Sequence, residues 1–323
     1  IESALLQTHE YKTILDAGDL FPNDFAFSLK KELKLLSLHG SMLSGEQFIL
    51  LSKLAQNFEN IVRGFNKERT ETFPNLFSVI RDIPYEKTIR KSIEAILEPN
   101  GQVRDNASDV LWRIRIALQR KRNELRREFE RMISKLQKAG YLSDIEVITL
   151  ENEEQIEIYR ILKQLTTDLA PYTPLLESYW QQSVQYDFIS AKAKLARDIN
   201  GQLPQIQDRA MVHLIQAYHP LLVLHNKKVQ KETIPVDLSF NDEQRILVIS
   251  GPNAGGKTVS MKTMGLLQVM MQSGLLIPAS PDSTMGIFKQ LMIQIGDTQS
   301  IEFELSTYSS HLMHMKHFIE HAN

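Results

Sequence analysis

Apolar positions fall into three successive patterns along the chain. Over residues 1–98, short helical periodicities alternate with loops and strand signals are scarce. Leu5, Ile14 and Leu15 lead into a turn at 18–22, and Leu33, Leu35, Leu36 and Leu38 end at Gly40. Ser44-Gly45-Glu46-Gln47 has the form of a capping box, in which a hydroxyl and a glutamine three residues on satisfy each other's backbone N–H. With Pro84 and Pro99 as punctuation, a compact all-helical unit is expected. The second pattern covers residues 99–205. A turn at 98–102 and a cap at Asn106-Ala107-Ser108 precede a run free of Pro and Gly to about residue 138. Val110, Leu111, Ile114, Leu118, Leu125, Phe129, Ile133 and Leu136 recur at helical spacing. About 30 residues make a rod roughly 45 Å long. A short break at 139–143 separates it from a second run, 152–171, which resumes from 175 to about 199. Two long runs joined by a short tip predict an antiparallel hairpin, whose heptads are too irregular for an extended coiled coil. The third pattern, from residue 206 on, consists of short apolar segments at 212–215, 221–224, 233–238, 274–278 and 286–295. These read as strands of an α/β domain, with the β-branched run 245–250 as a buried parallel strand and 259–273 as a helix.

Composition adds little to this picture. With 42% hydrophobic and 24% charged residues in 323, a soluble multidomain protein is expected. A net charge of −2 announces no nucleic acid globally. The absence of cysteine excludes disulfides and thiolate metal sites and fits a reducing, cytoplasmic setting. No segment approaches a membrane span. The chain starts at Ile1 and ends in a helical pattern at 311–323, and both ends read as cuts through a longer protein.

The chemistry concentrates in Gly251-Pro252-Asn253-Ala254-Gly255-Gly256-Lys257-Thr258, between an expected strand and a helix. Glycines at these positions let backbone N–H groups converge on phosphate oxygens at a helix N-terminus, the arrangement of a P-loop. Lys257 is then expected to reach the β- and γ-phosphates of ATP, and the Thr258 hydroxyl to ligate Mg2+. On the first long helix Arg113, Arg115, Arg120, Lys121, Arg122, Arg126, Arg127 and Arg131 outnumber Glu124, Glu128 and Glu130. Both a solvated helix face and a stripe tracking DNA phosphates, through Arg120, Lys121, Arg126 and Arg127, fit that pattern. His311, His314, His317 and His321 share one helix face but span too far for a single ion, so a packing face is the expectation.

Taken in order, the loop with Asn253 in third place, Gly296-Asp297-Thr298-Gln299-Ser300, Leu305-Ser306-Thr307-Tyr308-Ser309-Ser310-His311, Tyr218-His219-Pro220-Leu221-Leu222 and the segment 98–108 resemble the MutS ATPases. The likeness is to the bacterial branch without a mismatch-reading domain, and it runs over essentially the whole chain. The resemblance implies a mixed fold: an all-α core (1–98), helical lever arms (99–205) and an ABC-like P-loop ATPase domain (206–323) that forms a homodimer. It also implies that Ser306 meets the nucleotide on the opposite copy, and that branched or recombination DNA is the substrate class. Three departures stand out. The Walker B strand ending in Asp-Glu is missing, so the catalytic carboxylates are not in the chain and full turnover is not expected. The tip at 139–151 is too short for a folded clamp. The nuclease module is absent, and Phe129-Glu130 lies inside a helix, where it cannot act as an intercalating wedge. Other classes remain in view. In an arm-bearing chromosome or break-repair ATPase the P-loop precedes the arms, the reverse of the order here. A scaffold with a degenerate site would not need an intact Lys257-Thr258. A small-molecule kinase would need an acceptor site and a lid.

Overall fold

The computed structural model describes residues 1–133, 145–252, 255–293, 312, 315–316 and 318–320. Their contacts sort into two units, one of residues 1–20, 73–76 and 188–323, the other of residues 21–72 and 77–187.

The second of these is helical. It holds α2 (Lys30–Ser37), α3 (Gly45–Gly64), α4 (Lys67–Thr72), α6 (Lys87–Ile96), α7 (Asp109–Ile133), α8 (Ile145–Leu169) and the first part of α9 (Thr173–Asp198). Short α5 (Pro74–Phe77) straddles the division. The expected capping box is present: Ser44 Oγ accepts from Gln47 N at 3.3 Å, and Gln47 Oε1 accepts from Ser44 N at 3.0 Å. In the core Phe58 stacks on Tyr179 with centroids 3.9 Å apart, and the Tyr179 hydroxyl donates to the Pro84 carbonyl and accepts from Glu86 N, both at 2.8 Å. Burial pushes the Tyr179 phenol up to about 12. Buried Asn57 bridges Asn23, Ser183 and the Asp24 amide, so each polar group taken from water gains a partner.

Gly101, at φ +84, closes the turn at 98–102 by donating to the Glu98 carbonyl, and Ser108 Oγ accepts from Leu111 N to start α7. The hairpin is antiparallel. Glu157 pairs with Ser108, Glu154 with Arg115 and Glu151 with Arg122, so partners climb one helix as they descend the other. The second run begins earlier than its pattern predicts, at Ile145 rather than 152. Residues 134–144, which hold the expected end of the first run and the tip, lie outside the described residues.

The other unit is α/β. Its sheet has the order β1 (Gln205–Gln207), β4 (Thr284–Gly286), β2 (Val212–Ala217), β3 (Val236–Phe240), with β1 and β4 parallel and the other neighbours antiparallel. Leu267, Met270 and Met271 of α11 (Lys257–Gln272) pack with Val212, Leu214 and Met285, and Leu5 of α1 (Glu2–Asp16) joins the same core. Gln268 Nε2 donates to the Gly286 carbonyl at 2.8 Å, tying α11 to the end of β4.

Several sequence expectations are corrected here. Residues 221–224 are helical, inside α10 (Pro220–Lys228), because Pro220 sits at the first helical position, where its missing N–H costs nothing. The segment 274–278 contributes only the Gln202–Ile277 bridge, and of the expected strand at 286–295 only Gly286 is strand among the described residues, as the last residue of β4. The run 245–250 joins none of the described strands, and Ile246 and Val248 are 86% and 81% exposed. A parallel strand is held by ladder bonds to neighbours, and no described strand takes up the backbone groups of this one.

Candidate functional site

The loop after residue 250 is shaped by its glycines. Gly251 has φ +152 and Gly256 φ +84, conformations closed to most side chains. Gly255 N donates to the Pro252 carbonyl at 3.1 Å, and a Cβ at Gly255 would lie 2.9 Å from that oxygen. Asn253 and Ala254 lie outside the described residues.

Gly256 is the N-cap of α11 and brings no side-chain acceptor, so no described side chain caps the first N–H groups of the helix. Helix and loop therefore present donors and the positive dipole end without an internal anion to satisfy them. No acidic residue stands in the first turn. The helix begins at Lys257, two residues before its apolar pattern predicts. The Lys257 ammonium folds back and donates to the Gly251 carbonyl, and to that of Pro252 at 2.9 Å. A cation resting on the loop's own carbonyls, beside uncapped amides, fits a polyphosphate that would draw it away. Thr258, expected to hold Mg2+ through the nucleotide, is exposed on the first turn.

Ser306, the segments 296–300 and 305–311, and the four histidines lie outside the described residues. Among described residues no cluster of three His, Asp or Glu could hold a metal, and no helix is long and apolar enough to cross a membrane.

Two groups near α11 carried no role in the sequence reading. His219 caps α10 with its Nδ1 buried and unpartnered, and burial, then the Lys262 ammonium, holds its pKa below the usual value. Lys192 is only 6% exposed, its ammonium sits 5.0 Å from the Phe188 ring centroid, and burial lowers its pKa. Nothing in the residue spacing marks either as buried.

Of the four basic residues singled out on α7, Lys121 pairs with Glu124 at 3.3 Å. Arg120 and Arg127 lie on the outer face without an ion pair to a described residue, and Arg126 is exposed on a different face.

Residues 247–323 match the family model for MutS domain V, a stretch holding the glycine loop, Lys257 and all of α11. The chain is 32% identical to the endonuclease MutS2 of Carboxydothermus hydrogenoformans, over 87% of this chain and 41% of that protein. Proteins of the same name from a Geobacillus species and from Clostridium kluyveri are 29% and 28% identical, over 90% and 100% of this chain and 42% and 46% of theirs. The chain thus spans less than half the length of these relatives. The domain match falls on the glycine loop and α11, and the wider similarity to the MutS2 proteins reaches through the helical unit.

Proposed function

We propose that the chain is the core, lever and nucleotide-binding portion of an ATP-switched, DNA-binding protein of MutS type, from the branch without a mismatch-reading domain. The uncapped N-terminus of α11 behind its glycine loop, inside the stretch matching MutS domain V, carries this reading. Residues 1–98 serve as core, 99–205 as lever arm and 206–323 as the ATPase part. ATP with Mg2+ binds on Gly251, Pro252, Asn253, Ala254, Gly255, Gly256, Lys257 and Thr258. When bound, the nucleotide would supply the phosphoryl group and its negative charge at this loop. The chain's own residues act around it: Lys257 exchanges the Gly251 and Pro252 carbonyls for phosphate oxygens, the α11 amides bond the phosphates, and Thr258 holds the metal through its hydroxyl. Ser306 of one copy meets the nucleotide of the other, and closure of the homodimer controls binding to branched or recombination DNA in the cytoplasm. Suppression of recombination is the biological role this reading favours.

Fluorescent-ATP binding with Mg2+, followed by light scattering of the same sample, tests the reading. Nucleotide-dependent mass near twice 37.1 kDa is expected, together with loss of binding in Lys257→Ala while its circular dichroism is unchanged. Triphosphate binding that survives Lys257→Ala refutes the phosphate cradle. Binding by a strict monomer refutes the role of Ser306.

A further inference from the structure

Arginines on α7 sort into two stripes. Arg115 is consumed inside the hairpin: its Nε donates to Glu154 at 2.8 Å, and it also holds Asp105 and, at 2.8 Å, the Val103 carbonyl. Arg122, one heptad on, donates to Glu151 at 2.7 Å. Arg113, Arg120 and Arg127 make no ion pair with any described residue. They too recur every seven residues, rising about 10 Å and drifting about 20° per step, which keeps them on one exposed strip. Beside its start, Trp112 leaves 52% of its surface in solvent. Trp112, Arg113, Ile116, Arg120, Lys121 and Glu124 line a shallow recess of about 590 Å3. Glu124 is already answered by Lys121, so the two arginines leave the recess with unbalanced positive charge.

We propose that this outer face of α7 binds single-stranded DNA, stacking one base on the Trp112 indole and bonding flanking phosphates through Arg113 and Arg120. The proposal rests on the DNA-binding reading above and adds the place and the strandedness. Every unpaired base offers a π-face to an exposed aromatic ring, and guanidinium forks match phosphate oxygens. A duplex keeps its bases stacked inward, so it could use the arginines but would leave the indole uncovered.

The chain has two tryptophans, and Trp180 is engaged elsewhere, its Nε1 donating to the Phe27 carbonyl at 3.1 Å. Trp180→Phe in the full chain therefore leaves Trp112 as the sole indole, with circular dichroism confirming the fold. Oligothymidylate should quench it saturably, and a duplex of equal length should not. In anisotropy titrations with labelled oligothymidylate, Trp112→Ala should bind about tenfold more weakly, and Trp112→Phe should retain most of the affinity. Arg113→Ala with Arg120→Ala should flatten the slope of log K against log salt by about 1.4. Single-strand binding that leaves Trp112 emission and the Trp112→Ala affinity unchanged overturns this site while the DNA-binding reading stands. Quenching by duplex alone, or by RNA and not DNA, overturns the single-stranded DNA assignment. Failure to bind any DNA overturns the site together with the reading it rests on.

Discussion

Helices α1 and α11 end in the same way, and that identity makes a controlled experiment. In each, a glycine follows the C-cap with left-handed φ, +77 at Gly18 and +74 at Gly274. In each, its N–H and that of the next residue bond back to the last turn: Gly18 to Leu15 and Asp19 to Ile14, Gly274 to Met271 and Leu275 to Met270. Both are Schellman motifs with the same backbone requirement. Their surroundings differ. A Cβ built on Gly18 meets nothing within 4 Å, whereas one on Gly274 lies 2.8 Å from the Ala4 Cβ. Gly18→Ala should cost only the left-handed penalty, about 1–2 kcal/mol. Gly274→Ala should cost that and an overpacking term of about 1–3 kcal/mol, because Ala4 belongs to a packed helix and cannot swing aside. Both tryptophans lie in the other unit, so far-UV circular dichroism in a denaturant titration is the appropriate signal. Ala4→Gly added to Gly274→Ala should recover the steric part and show coupling, and added to Gly18→Ala should not. Equal losses for the two alanine variants would refute the claim that the end of α11 is gripped by α1.

The helical unit offers sharper contrasts. Arg115→Ala, which strands the Glu154 carboxylate and the Val103 carbonyl, should cost about 2–3 kcal/mol, whereas Arg122→Ala, an exposed pair with Glu151, should cost under about 1 kcal/mol. Paired denaturant titrations check the order of the two. Asn57→Ala should lose about 2–3 kcal/mol by the same assay, since it removes this buried amide's hydrogen bonds to Asn23, Ser183 and the Asp24 N–H together. Glu59 is a buried carboxylate whose burial raises its pKa, but the Tyr85 hydroxyl and the Arg63 and Arg90 guanidiniums outweigh this and hold it below the usual 4.5. A depressed folded pKa means stability that is present above about pH 4.5 and lost as pH falls through the folded value. Glu59→Gln should therefore be less stable at neutral pH and show a shallower acid loss, measurable by titrating the denaturant midpoint from pH 7 to about pH 3.

What the sequence revealed was local, and what it hid depended on neighbours. The capping box at Ser44, the Gly101 turn and the Ser108 cap are each completed within a few residues, so residue order alone encodes them. The glycine loop is legible for the same reason: Gly255 and Gly256 are demanded by their own backbone. The run 245–250 carries the composition of a buried strand, but composition cannot supply the ladder that buries one, and residues 221–224 were too few to separate strand from helix. The basic helix shows the limit most clearly. In sequence its cations form one undivided surplus, and Arg120, Lys121, Arg126 and Arg127 look equivalent. Carboxylates some 30 to 40 positions away, at 151 and 154, withdraw Arg122 and Arg115 and leave the strip Arg113, Arg120 and Arg127. Charge available to a ligand is thus set by the hairpin pairing, and Trp112 acquires a candidate role only once the arginine beside it is seen to be unclaimed.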